Sequence, residues 1–191
     1  ASNGFYFNLS GSATSPFRLN NVIVNNPSGT NRFVRPNNFN ACGINGDFNI
    51  ISGEFITATG APLYLAGNFT NNGTLTSLGA LYLGTWNGFT NGAPTANAQT
   101  ISGLGVFRNL ATAQTANLTN FYVNNTNASG VTVSMPLSVS GTLTLNNGVV
   151  HAGANTMTLG TAALAGTIAG GSPTAYIDGT LARTIGATNA N

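Results

Sequence analysis

The phrase Gly60-Ala61-Pro62-Leu63-Tyr64-Leu65-Ala66 returns almost unchanged as Gly79-Ala80-Leu81-Tyr82-Leu83-Gly84. A later echo runs from Gly148-Val149-Val150 to Thr156-Met157-Thr158-Leu159-Gly160. In each, apolar residues take every second position over a short run bounded by glycine or asparagine. The same alternation marks Val131/Val133, Leu137/Val139 and Leu143/Leu145. A period of two places one set of side chains on one face of a strand, whereas a helix would need spacings of three and four. Such short strands bury little by themselves and must be stacked on neighbours. Successive phrases follow at roughly 20 residues, a period that belongs to repeat architectures.

A longer repeat encloses the short one. Leu19-Asn20-Asn21-Val22-Ile23-Val24-Asn25-Asn26 matches Leu118-Thr119-Asn120-Phe121-Tyr122-Val123-Asn124-Asn125. Gly46-Asp47-Phe48-Asn49-Ile50-Ile51-Ser52-Gly53 matches Gly141-Thr142-Leu143-Thr144-Leu145-Asn146-Asn147-Gly148. Two copies of a unit of about 95 residues follow, at residues 17–90 and 116–185. Short strands with turns between them predict an all-β fold, a right-handed parallel β-helix with rungs of about 20 residues stacked about 4.8 Å apart. Inward residues would form apolar columns. Outward Thr, Ser and Asn would meet water, and stacked asparagines could bond through amide ladders. The rival is a pair of β-sandwich domains of about 95 residues each, which the long repeat permits.

Composition removes several alternatives. Of 191 residues only 4% are charged, and none is lysine; the cations are Arg18, Arg32, Arg35, Arg108 and Arg183. A net charge of +2 falls far short of the basic clustering that neutralises phosphates, so no nucleic-acid partner is expected. Hydrophobic content of 42% with little net charge is not the composition of a disordered chain. No apolar run is long enough for a membrane helix, so no membrane insertion is expected. Ala1-Ser2-Asn3 opens no basic and apolar leader, and any export signal is expected to have been removed or to lie outside this segment. The single cysteine, Cys42, excludes an internal disulfide framework and reads as a small buried thiol.

Chemistry-bearing residues are few. The acids Asp47, Glu54 and Asp178 are far apart in sequence, and a polysaccharide hydrolase would need two carboxylates converging in one groove. Surface solubility or pairing with an arginine is the expected role of Asp47 and Glu54. His151 is the only histidine, has no neighbouring carboxylate in sequence to orient it, and reads as structural or solvent-facing. Gly166-Thr167-Ile168-Ala169-Gly170-Gly171-Ser172 lacks the grammar of a phosphate loop. The threonines are too irregular for an ice-ordering array. Asn-x-Ser/Thr triplets at Asn8, Asn68, Asn72, Asn117, Asn124 and Asn127 follow from so Asn- and Thr-rich a composition. Tyr64, Tyr82 and Trp86 are the candidates for carbohydrate contact, since exposed rings stack on sugar faces; the alternative is a structural tyrosine ladder. No catalytic residue, metal site or cofactor is expected.

The run Val133-Ser134-Met135-Pro136-Leu137-Ser138-Val139-Ser140-Gly141-Thr142-Leu143-Thr144-Leu145, followed by Gly148-Val149-Val150, Leu159-Gly160 and Gly170-Gly171-Ser172-Pro173-Thr174-Ala175-Tyr176-Ile177-Asp178-Gly179-Thr180-Leu181-Ala182-Arg183, resembles the repeats of very large secreted and cell-surface proteins of Bacteroidota, of the gliding and adhesin type. The match is good over residues 116–185 and looser over 17–90. The resemblance implies export through the type IX secretion system, an extracellular, outer-membrane-attached location and a non-enzymatic adhesive or stalk role. Residues 1–191 would then be one β-helical segment of a longer protein. Implied partners are the secretion machinery during export and surface polysaccharide or other copies of the chain. The alternative function is a secreted carbohydrate-active or carbohydrate-binding β-helix module.

Overall fold

The computed structural model describes residues 5–6, 18–27, 32–34, 42–57, 62–76, 79–85, 94–108 and 117–185. All regular structure among them is β, and every pairing between named strands is parallel. The two antiparallel bridges, Thr161 with Leu164 and Ser172 with Ala175, each close a tight turn. Antiparallel sandwich sheets are therefore not the architecture.

Over residues 5–133 consecutive strands pass through three sheets in turn and return, which is the path of a parallel solenoid; after Val133 the named strands belong to two of those sheets. Sheet A holds β1 (Phe5–Tyr6), β4 (Arg32–Val34), β7 (Glu54–Ile56), β10 (Thr74–Thr76) and β13 (Val106–Arg108). Sheet B holds β2 (Arg18–Leu19), β5 (Cys42–Ile44), β8 (Leu63–Leu65), β11 (Ala80–Leu83), β14 (Asn120–Asn124), β17 (Thr142–Asn147) and β19 (Thr167–Gly170). Sheet C holds β3 (Val22–Asn25), β6 (Phe48–Ser52), β9 (Phe69–Asn71), β12 (Gln99–Ser102), β15 (Val131–Val133), β16 (Leu137–Val139), β18 (Val150–Leu159) and β20 (Ile177–Arg183). The ten-residue β18 pairs with β15 through Val150 and His151 and with β16 through Met157 to Leu159. One long strand thus replaces two short ones toward the C-terminal end.

The alternating pattern becomes columns. On sheet B, Cys42, Leu63, Leu81, Phe121 and Leu143 stack in register and are all buried. On sheet C, Phe48, Phe69, Ile101 and Val133 do the same, the two phenylalanine rings lying parallel with centroids 5.0 Å apart. Phe55, Leu75 and Phe107 form the column of sheet A. These columns meet in one continuous core. Cys42 lies within it, as a small buried thiol should.

Turn lengths vary. Leu63 stacks directly under Leu81, whereas Leu81 stacks on Phe121 after a much longer excursion. Parallel pairing needs only that the chain come back to the same edge, so the connection can lengthen while the core register holds.

The corners carry polar ladders. Asn21 Oδ1 accepts from the Asp47 backbone N–H at 2.8 Å, Asp47 Oδ1 from the Asn68 N–H at 2.9 Å, and Asn68 Oδ1 from the Thr100 N–H at 3.0 Å. Each side-chain oxygen satisfies a backbone amide of the next turn, at a corner or just inside the strand that follows it. A second column is buried. Gln99 Nε2 donates to the carbonyls of Leu65 and Gly67, and Asn125 Nδ2 donates to Gln99 Oε1 and the Asn97 carbonyl. Amide-to-amide bonding also occurs, from Asn147 Nδ2 to Asn124 Oδ1 at 2.8 Å.

Candidate functional site

A column of tyrosines lies on the outer face of sheet B. Leu63 and Leu65 point into the core, so the strand pleat turns Tyr64 to the other face of sheet B. The same holds for Tyr82 between Leu81 and Leu83, and for Tyr122 between Phe121 and Val123. Register places the three directly above one another. The Tyr64 and Tyr82 ring centroids lie 4.5 Å apart at 22°, and those of Tyr82 and Tyr122 lie 4.1 Å apart at 14°. Tyr64 is only 4% exposed although it faces away from the core; Tyr82 and Tyr122 are half-buried. Burial raises the Tyr82 phenol well above its ordinary value, helped by a side-chain hydrogen bond with Tyr122 and by the charges Tyr122 and Tyr64 would carry. Burial, with Tyr122 nearby, raises Tyr64 too.

This arrangement bears on the sugar-contact expectation. Both faces of the Tyr82 ring are occupied by other rings, and Tyr64 has one face against Tyr82 and is itself buried. Neither offers the open ring face that stacks on a pyranose. Trp86 lies outside the described residues. Tyr122 is the member that sequence reasoning missed. Its signal was present in Phe-Tyr-Val, an apolar-Tyr-apolar triplet like Leu-Tyr-Leu, but the long excursion after β11 hid its register.

The three carboxylates are not brought together. Asp47 belongs to the corner ladder between β5 and β6, where it also accepts from Asn68 Nδ2 at 3.1 Å. Its place is that of an asparagine in the ladder, and it remains exposed at the surface while accepting from the corner amide. Glu54 lies on the outer face of sheet A and accepts from Thr76 Oγ1, a hydroxyl that is fully buried. Asp178 lies on β20, on sheet C.

His151 is half-exposed on sheet C, but it is not without a carboxylate. Its Nδ1 lies 2.9 Å from Asp178 Oδ2, because β18 and β20 pair residue 151 with residue 178. The expectation of an unoriented histidine is thereby corrected. The partner is a full turn later in the chain, where local sequence inspection does not look. Thr132 is the register neighbour of His151 on the other side. Among the described residues no group of three or more His, Cys, Asp or Glu side chains gathers as metal ligands would.

The Asn-x-Ser/Thr asparagines divide by environment. Asn117 and Asn124 are buried, Asn68 and Asn127 are tied by their side-chain amides, and Asn72 is exposed with its oxygen accepting from the Leu104 N–H. Asn8 lies outside the described residues. No family model matches the chain, and comparison with curated proteins and with solved structures finds no match.

Proposed function

We propose that the chain is a non-catalytic structural and adhesive segment of a large extracellular or cell-surface protein, exported by type IX secretion machinery as the Bacteroidota proteins it resembles are. The observation that carries this reading is the set of parallel ladders sharing one apolar core, a construction that yields a stiff rod whose length grows turn by turn. The rod is right-handed, in keeping with the strong preference of parallel crossovers for that hand. Its basic rung is about 20 residues, with longer turns as excursions from it. The separate placement of Asp47 at the corner before β6, Glu54 on sheet A and Asp178 on sheet C supports a role without bond cleavage. The segment stands at the outer-membrane surface, meeting polysaccharide or other copies of itself, with neither nucleic acid nor bilayer as partner.

The test has two arms. The chain fused to a type IX sorting domain and expressed in a Bacteroidota host is expected at the cell surface, detected by antibody on intact cells. Retention inside the envelope would sink the export reading. Beads coated with the chain are expected to hold to a polysaccharide-coated surface under flow better than bare beads. Polysaccharide turnover that disappears in Asp47→Ala or Glu54→Ala would replace the non-catalytic reading with an enzymatic one.

A further inference from the structure

We propose that Tyr82 and Tyr122 form an oxidative cross-linking site, at which a peroxide-class oxidant joins the two rings into an intrachain dityrosine. The two rings are nearly parallel, at 14°, with centroids 4.1 Å apart. Phenoxyl radicals couple through their ortho carbons after stacking face to face, so the ground-state geometry is already close to that of the encounter. Strand pairing holds it there: Tyr82 and Tyr122 are register partners on β11 and β14, flanked by Leu81, Leu83, Phe121 and Val123, all buried.

The step balances. Each tyrosine gives up one electron and its phenolic proton. The two ortho carbons then form one carbon–carbon bond, and each ring loses its ortho hydrogen as a proton carried by the keto tautomer to the phenol oxygen. The oxidant's O–O bond takes the two electrons and breaks; with hydrogen peroxide the two protons complete two waters. No residue of the chain is required as oxidant.

The position gives the bond a consequence. Leu81 to Phe121 is the widest step between neighbouring strands of sheet B, so the link would close the longest loop on that sheet. Closing a longer loop removes more freedom from the unfolded chain. Tyr64, at 4.5 Å and 22° from Tyr82, is the poorer partner and would link only the adjacent short turn.

The test is light-driven oxidation of the chain with tris(bipyridine)ruthenium and peroxodisulfate. It is run on the Tyr176→Phe variant, because Tyr176 is 46% exposed and would otherwise link one chain to another. Cleavage after Arg108 separates the peptide holding Tyr64 and Tyr82 from the one holding Tyr122. Mass spectrometry of the monomer band is expected to find these two peptides joined, with fragmentation placing the bond at Tyr82 and Tyr122. The product is expected to be lost in Tyr82→Phe, which keeps the stacked ring but not the phenol, and kept in Tyr64→Phe. Joined peptides found only in covalent dimers, their persistence in Tyr82→Phe, or consumption of the phenols without any joined peptide would each overturn the proposal.

Discussion

Asp47 is one of only three acids in the chain, yet its two hydrogen bonds to Asn68 use it as an acceptor rather than as a charge. Asp47→Asn keeps an acceptor at the same reach and is expected to change stability by less than about 0.5 kcal/mol. Asp47→Ala leaves the Asn68 amide to water and is expected to cost about 1 kcal/mol. Urea titration of both variants checks the contrast, and equal losses would mean that the charge, not the acceptor, matters. Tyr82 makes a different prediction. Its phenol ionises less readily in the folded chain than at the ordinary value of 10.0, so the unfolded state loses its proton first. Stability contributed by the buried neutral phenol is therefore complete below pH 10 and lost as pH rises beyond it. Thermal melts above pH 10 should show Tyr82→Phe losing less stability per pH unit than the parent chain. A parallel decline in both would contradict this.

At the scale of elements, the corners do more than join strands. The long sequence repeat aligns Asn21, Gly46 and Asp47 with Asn120, Gly141 and Thr142, and both sets build one device. The asparagine oxygen accepts from the residue after the glycine, at 2.8 Å in each case. A Cβ on either glycine would strike that same oxygen. Yet the first corner leads into β6 on sheet C and the second into β17 on sheet B. The repeat thus records a corner, and the face it serves depends on the turns between. Glycines with positive φ differ in what they permit. Gly103 has φ +117°, and a Cβ there would stand 2.0 Å from the Asn71 carbonyl oxygen of the turn below. Gly153 has φ +55° and open space around it. Gly103→Ala is expected to exceed the about 1–3 kcal/mol of backbone strain alone, while Gly153→Asn should cost about 1 kcal/mol or less, since asparagine tolerates that conformation. Denaturant midpoints measure both, and a benign Gly103→Ala would show that the corner can open.

For the whole molecule, burial is uneven along the column. Leu143 and Ile168 are register partners on β17 and β19, but Leu143 is fully buried and Ile168 is 44% exposed. Ile177 and Leu181 on β20 are only partly buried, and Leu164, Tyr176 and Ile185 are exposed. Apolar burial per turn therefore falls toward β19 and β20, and local stability should fall with it. Leu143→Asp is expected to abolish cooperative unfolding, because an unpaired carboxylate would be buried. Ile168→Asp should leave a folded chain with its thermal midpoint lowered by a few degrees at most. Hydrogen exchange should likewise be faster in β19 and β20 than in β8, β9 and β11. Uniform protection, or equal damage from the two aspartates, would refute the gradient.

The sequence alone determined the strand character, the alternation and the presence of stacked turns. A period of two and a recurring glycine-bounded phrase leave a short strand nowhere to bury its apolar face except against the next copy. It also placed the inward residues, since Leu63/Leu65 and Leu81/Leu83 occupy their columns as read. What it did not determine was which distant residues share a rung. Tyr122 joined Tyr82, Asp178 met His151, and Asp47 took an asparagine's place in a ladder, each across a turn whose length no local pattern fixes. Parallel pairing tolerates connections of any length above a minimum, at an entropy cost that rises only as the logarithm of that length. Side-chain chemistry sets the residues that want a partner; only the closed turns of the tertiary structure decide which partner each one meets.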